Sequence, residues 1–311
     1  MKKKILLIIN PRAGKTRAKS ALFDIVDALT GDGSSVSIEI TRHAGHAREL
    51  AAVAAESADT VVCVGGDGTL NEVIAGVISS GSHIPVGYIP SGSTNDFATT
   101  LNISKDMRRA ASDISDGILR SIDIGRFGDR YFTYVASFGA FTKTSYSTPQ
   151  DIKNALGHLA YILQGICDIP SIRAEHVTIT TDECTYDGDY IFGAIANSTS
   201  VGGIISFNEQ LVAMNDGKFE ILLVRCPKNL QELNRCINAL LTQNYNCDMI
   251  DFGTLKEAKI ISDKPLVWSL DGERADTDGT VDVQNLGNAV TMLLPRSISD
   301  APILNEGSDT I

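Results

Sequence analysis

The sequence predicts an α/β fold: a doubly wound, mostly parallel sheet in an N-terminal domain, followed by a second, mostly β, sandwich-like domain. Three observations predict it. Through the first 125 residues, short apolar runs alternate with segments of helical periodicity; beyond that point short strands follow one another between Asp-Gly turns; and 311 residues suit two domains. The expected bounds are residues 1–125 and 126–295, with a polar tail at 296–311 that packs back on the first domain or frays.

Each element has a local reason. Residues 4–9 form an apolar run suited to a strand buried on both faces. Residues 18–29 place Leu22, Phe23, Val26 and Leu29 at helical spacing, and Gly31 ends the helix. Residues 35–40 alternate as a strand, 47–56 are Ala-rich and helical, and 60–64 are apolar and β-branched. A helix over 70–78, a strand over 85–89 and a helix over 107–114 complete the alternation. Ligands of such sheets bind beyond the carboxyl ends of the strands. In the second domain, strands are expected over 130–137, 174–180, 190–196, 219–224, 258–261 and 267–270, with helices over 152–166 and 230–241. Asp187-Gly188, Asp216-Gly217 and Asp271-Gly272 mark turns between them.

Asp and Glu number 38 against 27 Lys and Arg, a net charge of −11, which argues against a nucleic-acid binder and against general attraction to an anionic membrane. The balance is uneven: Lys2, Lys3, Lys4, Arg12, Lys15, Arg17 and Lys19 all precede Asp24, the first acidic residue, and read as a solvated basic surface. The six cysteines form no C-x-x-C pair and suit reduced thiols in a cytoplasmic protein. The basic start imitates a secretory signal, but the apolar stretch at 5–9 is too short for one. No stretch approaches the roughly 18 apolar residues of a membrane span.

The strongest chemical signal is Val61-Val62-Cys63-Val64-Gly65-Gly66-Asp67-Gly68-Thr69-Leu70-Asn71-Glu72, a strand running into a glycine-rich turn and a helix. Glycines let the backbone approach a phosphate group, and the helix start offers N–H groups and the positive end of its dipole. Thr69 is placed to cap that helix or meet a phosphate oxygen, and Asp67 puts a carboxylate where Mg²⁺ or its waters would sit. The same glycines suit a tight turn that needs positive φ. The spacing is neither a Walker A loop nor G-x-G-x-x-G. Asn10-Pro11-Arg12-Ala13-Gly14-Lys15 and Pro90-Ser91-Gly92-Ser93-Thr94-Asn95-Asp96 follow two further strands of the sheet. Each alone is an ordinary turn, but three polar, glycine-bearing loops on one sheet edge are where this architecture builds a site. Leu270-Asp271-Gly272-Glu273 is a turn whose two carboxylates suit a base and a metal-network acid.

In this order, NPRAGK, GGDGTLNEV, PSGSTNDFA, SIDIG at 121–125 and LDGE resemble the diacylglycerol kinase catalytic family, which includes sphingosine and ceramide kinases. Residues 145–149, Ala160-Tyr161-Ile162 and Asn197-Ser198 are most similar to the soluble diacylglycerol kinases of Gram-positive bacteria. The resemblance spans nearly the whole chain. GGDGT is shared with NAD kinases and, more loosely, with phosphofructokinases; the ND and DGE elements point to lipid kinases.

The resemblance implies ATP in a cleft between two domains and transfer of its γ-phosphate to a lipid hydroxyl collected from the bilayer surface. With diacylglycerol the product is phosphatidic acid. It places Asn10, Thr41, Gly65, Gly66, Asp67, Gly68, Thr69, Glu72 and Ser93 along the nucleotide. It makes Asp271 the general base, and Asp67, Asp96, Asp123 and Glu273 a water-linked network for the catalytic Mg²⁺. It gives Asp216, with backbone carbonyls near Ala213 and Lys218, a second, structural Mg²⁺; a plain Asp-Gly turn explains the same residues.

Three places depart from the family pattern. Ser93 stands where Thr is usual, Thr99 where Arg is usual, and Asn208 and Glu209 where a Pro commonly precedes the Asp216 segment. His43 and His46 lie near Thr41, where His46 is placed to approach a phosphate and a surface histidine explains it as well; His83, His158 and His176 are scattered without metal spacing. The apolar stretch 155–169 reads as core, with a lipid-facing wall as the alternative. Two other functions compete: an NAD kinase-like phosphotransferase and a non-catalytic nucleotide-binding regulator. Transient peripheral contact with a membrane and a homodimer are both compatible with the sequence.

Overall fold

The computed structural model describes residues 2–93, 95–139, 174–201, 205–206 and 212–298. The helix expected over 152–166, the stretch 155–169, the segments 145–149 and 160–162, Asn208, Glu209 and the tail beyond 298 lie outside the described residues. The chain divides into two compact units, Met1–Ile124 with Gly287–Ile311, and Gly125–Leu286.

In the first unit, β1 (Lys4–Ile9), β2 (Ser35–Ile40), β3 (Thr60–Gly65) and β4 (Val86–Pro90) are parallel neighbours in the order β2-β1-β3-β4. Leu7, Ile8, Val61, Val62, Val64 and Ile89 are buried, as central strands covered on both faces require, while β2 is an exposed edge. The helices are α1 (Arg17–Thr30), α2 (His46–Ala52), α3 (Asp67–Ser80), α4 (Asp96–Thr100) and α5 (Met107–Ser115). The helix expected over 47–56 is shorter: Val53 leaves helical geometry at φ −104, ψ 0, and a 3₁₀ turn, Ala54–Glu56, follows. Gly76 is where α2 crosses α3, since a Cβ there would collide with the Arg48 carbonyl. Asp106 caps α5 by accepting the Arg109 N–H at 2.8 Å.

The second unit is antiparallel. After β5 (Ile118–Phe127), which crosses the boundary, come β6 (Arg130–Phe132), β7 (Val135–Gly139), β8 (Glu175–Thr181), β9 (Thr185–Ala196), and the short pair β10 (Ser200–Val201) and β11 (Ile205–Ser206). Then follow β12 (Phe219–Arg225), α6 (Leu230–Thr242), β13 (Ile250–Leu255), β14 (Glu257–Ser262), β15 (Leu266–Leu270), β16 (Glu273–Thr277) and β17 (Thr280–Leu294). The strand order is β16-β15-β7-β9-β8-β14-β17, with β12 pairing both β9 and β13. Its core gathers around Trp268, whose ring lies 4.9 Å from Phe127 and 4.8 Å from Phe138. Asn229 caps α6, accepting the N–H groups of Gln231 and Glu232.

The strand β17 pairs β14 over Thr280–Gln284, then from Gly287 belongs to the first unit, where Met292 and Leu293 run parallel to β4. The first sheet thus runs β2-β1-β3-β4-β17, with β5 also paired to β17, and the chain returns to it earlier than residue 296. Arg296 Nε donates to the Asp116 carbonyl at 2.7 Å, and Ile298 is buried. Among the described residues no helix is long and apolar enough to cross a membrane, and Cys63, Cys184, Cys226, Cys236 and Cys247 are free thiols.

Candidate functional site

The three loops of the first unit meet through specific bonds. Asn10 Nδ2 donates to Thr69 Oγ1 at 2.9 Å, joining the loop after β1 to the start of α3. The Ser91 amide donates to the Gly65 carbonyl at 2.7 Å. Gly66 and Gly92 touch backbone to backbone: a Cβ on Gly92 would lie 2.7 Å from Gly66 Cα. Thr69 was expected to cap the helix, but α3 starts at Asp67 with Gly66 as its N-cap, and Thr69 holds Asn10 instead. Gly65 and Gly66 do not adopt positive φ; Gly66 is extended at φ −93, and close approach explains why it has no side chain. The N-terminus of the 14-residue α3 points its positive end at this junction, which favours an anionic group there.

Two acidic residues lie at the same junction. Asp67 Oδ2 accepts the Asp96 amide at 3.0 Å, and the Tyr88 hydroxyl lies 3.4 Å from Asp67 Oδ1. Asn95, buried and left-handed at φ 55, turns its Nδ2 to the Gly92 carbonyl at 2.9 Å and its Oδ1 toward Tyr88 at 3.3 Å. Tyr88 escaped the sequence reading because an aromatic in an apolar strand looks like core. Burial, reinforced by the Asp67 charge, pushes its hydroxyl far above the usual tyrosine range, so it stays a proton donor. The Asp67 carboxylate, with a second acidic residue adjoining it, offers the oxygen donors that Mg²⁺ prefers.

The structure gives several predicted residues other partners. Glu72 was expected to line the nucleotide; its Oε1 accepts the Gly45 amide at 2.8 Å and its Oε2 the Ala47 amide at 3.1 Å, so it holds the start of α2 in place. Thr41 follows β2 and donates its amide to the Ile9 carbonyl at 2.9 Å. Asp123 is fully buried, and its Oδ1 accepts the Asn288 amide at 2.7 Å, where Asn288 has φ 51. Ser93 is exposed at its loop tip. His43 and His46 stack at 4.8 Å between ring centres, and with Glu49 they bring ligand atoms within 4.8 Å of one another. His46 Nδ1 accepts the Arg42 amide at 3.2 Å, which leaves the proton on its other nitrogen and no lone pair there for a metal.

In the second unit, the largest departure concerns Asp271. The strand expected over 130–137 breaks at Thr133 and Tyr134, and this break grips the Asp271 carboxylate. Oδ2 accepts the Thr133 amide and hydroxyl at 2.6 and 2.8 Å; Oδ1 accepts the amides of Tyr134 and Val135, both at 3.0 Å. Asp271 is buried at φ 47 and returns its own amide to the Val135 carbonyl. A carboxylate has about four acceptor positions, and these are occupied. Burial raises its pKa, against four hydrogen bonds that lower it. The residue expected as general base thus also anchors a turn through its carboxylate. Glu273 is exposed, with Arg130 Nη2 at 3.5 Å from one oxygen.

Asp216 closes an ordinary Asp-Gly turn, its Oδ1 accepting the Lys218 amide at 2.9 Å, with Gly217 at φ 78. Ala213 is half-buried beside it, and the Lys218 ammonium pairs with Glu183 at 3.0 Å. Glu220, which the sequence reading passed over, is 1% exposed with no hydrogen-bond partner for Oε2 among the described residues, and burial pushes its carboxyl up to about 8.

Comparison with known proteins gives the family and the fold. The family described as the diacylglycerol kinase catalytic domain matches residues 4–127. The chain is 33% identical to a diacylglycerol kinase of Bacillus subtilis, over 87% of this chain and 90% of that protein. It is 30% identical to a diacylglycerol kinase of Staphylococcus epidermidis, over 100% and 98% respectively. The crystal structure of a Bacillus anthracis protein assigned to the diacylglycerol kinases superposes with a TM-score of 0.79 at 25% identity, covering 96% of this chain and 99% of that one. With a relative of that identity matched along nine-tenths of its length, the chain belongs to the diacylglycerol kinase family.

Proposed function

We propose that the chain transfers the γ-phosphate of ATP to the hydroxyl of diacylglycerol, forming phosphatidic acid, with Mg²⁺ as the metal. Family membership supports a lipid kinase. The single observation that supports the finer reading is the Asp96 amide on the Asp67 carboxylate, which holds an acidic side chain at the N-terminus of α3 with a second acidic residue next to it. Phosphoryl transfer needs positioning and charge neutralisation above all.

Asp67 and Asp96 would hold Mg²⁺, which when bound neutralises charge on the phosphates. Gly65, Gly66, Gly68 and the first turn of α3 receive the phosphate oxygens, with Ser93 at the rim. Asn10, through Thr69, and Glu72, through the start of α2, hold these loops in register. The acceptor's proton passes to a carboxylate as its oxygen bonds phosphorus and the bond to ADP breaks. Glu273 takes that role in preference to Asp271, whose lone pairs are filled. Asp216, whose Oδ1 closes the turn, would hold a second Mg²⁺ with the nearby carbonyls of Ala213 and Lys218. The lipid is collected from a membrane surface.

The test uses purified chain, labelled ATP and Mg²⁺ with diacylglycerol, monoacylglycerol, a sphingoid base or phosphatidylglycerol in mixed micelles, and NAD as a control acceptor. Label on diacylglycerol is expected. Label on NAD and on no lipid would overturn the assignment.

A further inference from the structure

We infer that Tyr88 is a positioning residue for Asp67, its hydroxyl acting as a rotor shared between the two glycine-bearing loops. This role presupposes the kinase activity proposed above.

Tyr88 stands in β4 in register with Cys63 of β3, and its ring is buried beneath the loops that follow those strands. Its oxygen lies 3.4 Å from Asp67 Oδ1 and 3.3 Å from Asn95 Oδ1. Both are acceptors, because Asn95 commits its Nδ2 to the Gly92 carbonyl. A phenol has one proton to give. Without a cation on Asp67, the charged acceptor forms the stronger hydrogen bond with the hydroxyl. The carboxylate is then held at both oxygens, by the Asp96 amide on Oδ2 and by Tyr88 on Oδ1, so its plane is set in advance. When positive charge arrives at Asp67, its oxygen becomes a weaker acceptor. The hydroxyl then turns to Asn95, so that no buried donor is stranded. A phenylalanine would fill the same space but could neither orient the carboxylate nor follow this exchange.

Tyr88→Phe removes one oxygen and keeps the ring. Two measurements are made: ATP affinity by calorimetry across a Mg²⁺ series, and urea unfolding, without ligand, of wild type, Tyr88→Phe, Asp67→Asn and the double variant. Because the bond to Asp67 is made while no cation is bound and given up when one arrives, its loss predicts Mg·ATP affinity up to about tenfold tighter in Tyr88→Phe, with a lowered Mg²⁺ concentration for half-maximal binding. The unfolding effects of Tyr88→Phe and Asp67→Asn should be non-additive. An unchanged Mg²⁺ dependence, whatever the stability, would reduce Tyr88 to packing and overturn the inference. Additive unfolding effects would overturn it too, by showing that the two residues do not interact. Wild-type protein that bound no Mg·ATP would instead overturn the kinase assignment, and the role of Tyr88 with it.

Discussion

Thr133 donates twice to one oxygen of Asp271, its amide at 2.6 Å and its hydroxyl at 2.8 Å from Oδ2. The other oxygen is held by Tyr134 and Val135. Asn at this position would turn an NH₂ group toward backbone N–H donors, whichever way its amide is flipped. Asp271→Asn should therefore destabilise the second unit by on the order of 3 kcal/mol, the range for losing hydrogen bonds to a buried charge. Glu273→Gln, on an exposed side chain, should leave the unfolding midpoint alone while kcat falls about 10²–10⁴-fold. Chemical unfolding and steady-state kinetics on both variants check this. A stable Asp271→Asn protein with collapsed kcat would return the base to Asp271.

The contact between Gly66 and Gly92 predicts a steric effect. A methyl group on Gly92 would lie 2.7 Å from both Gly66 Cα and Asn95 Oδ1. Gly92→Ala should separate the two loops and weaken Mg·ATP binding at least about tenfold, since misplacement of about 1 Å costs that much or more at such sites. Gly66→Val should do the same from the facing side. Calorimetry on folded variants with unchanged affinity would remove these loops from the site.

Glu72 closes the start of α2 with two backbone hydrogen bonds. Glu72→Ala should raise hydrogen exchange at the Gly45 and Ala47 amides about fivefold, the equivalent of about 1 kcal/mol for a lost cap. Exchange unchanged at both amides would show that the loop is held by other means.

His176 sits 3.0 Å from the Asp189 carboxylate and 3.7 Å from Asp187. The Asp189 hydrogen bond raises its pKa above 6.5. A raised histidine favours the folded state when protonated. Its contribution is complete below pH 6.5 and disappears as pH rises through the folded-state value. Both groups are exposed, so the effect on stability is small. An NMR titration should place the His176 midpoint above 6.5, and Asp189→Asn should lower it. A midpoint at or below 6.5 in the native protein would contradict the pairing.

The elements legible from sequence were those with one dominant signal. The apolar runs of β1 and β3 and the capped periodicity of α6 appear within a residue or two of their expected ends. The strand β17 was invisible because Asn285, Gly287 and Asn288 look like a turn; the chain passes Asn288 in a left-handed conformation and remains a strand. The five-residue α4 is too short to show a period. At the site, glycine and carboxylate motifs announced where the three loops converge. They could not announce what each carboxylate accepts: the donors to Asp271 come from 133–135 and those to Glu72 from 45–47, far along the chain in both cases.

Because β17 supplies the strand beside β4, the first unit is not complete in chain order. A ribosome finishes residues 1–124 long before it reaches Met292 and Leu293. Through that interval β4 stands as an open strand edge, a template for pairing with another chain. Order of synthesis and order of folding are thus forced apart: the first unit to emerge is the last whose sheet can close. A release stall or truncation just before residue 287 would produce a chain with a finished second-unit sequence and an unfinished first sheet, prone to self-association from the moment it left the ribosome.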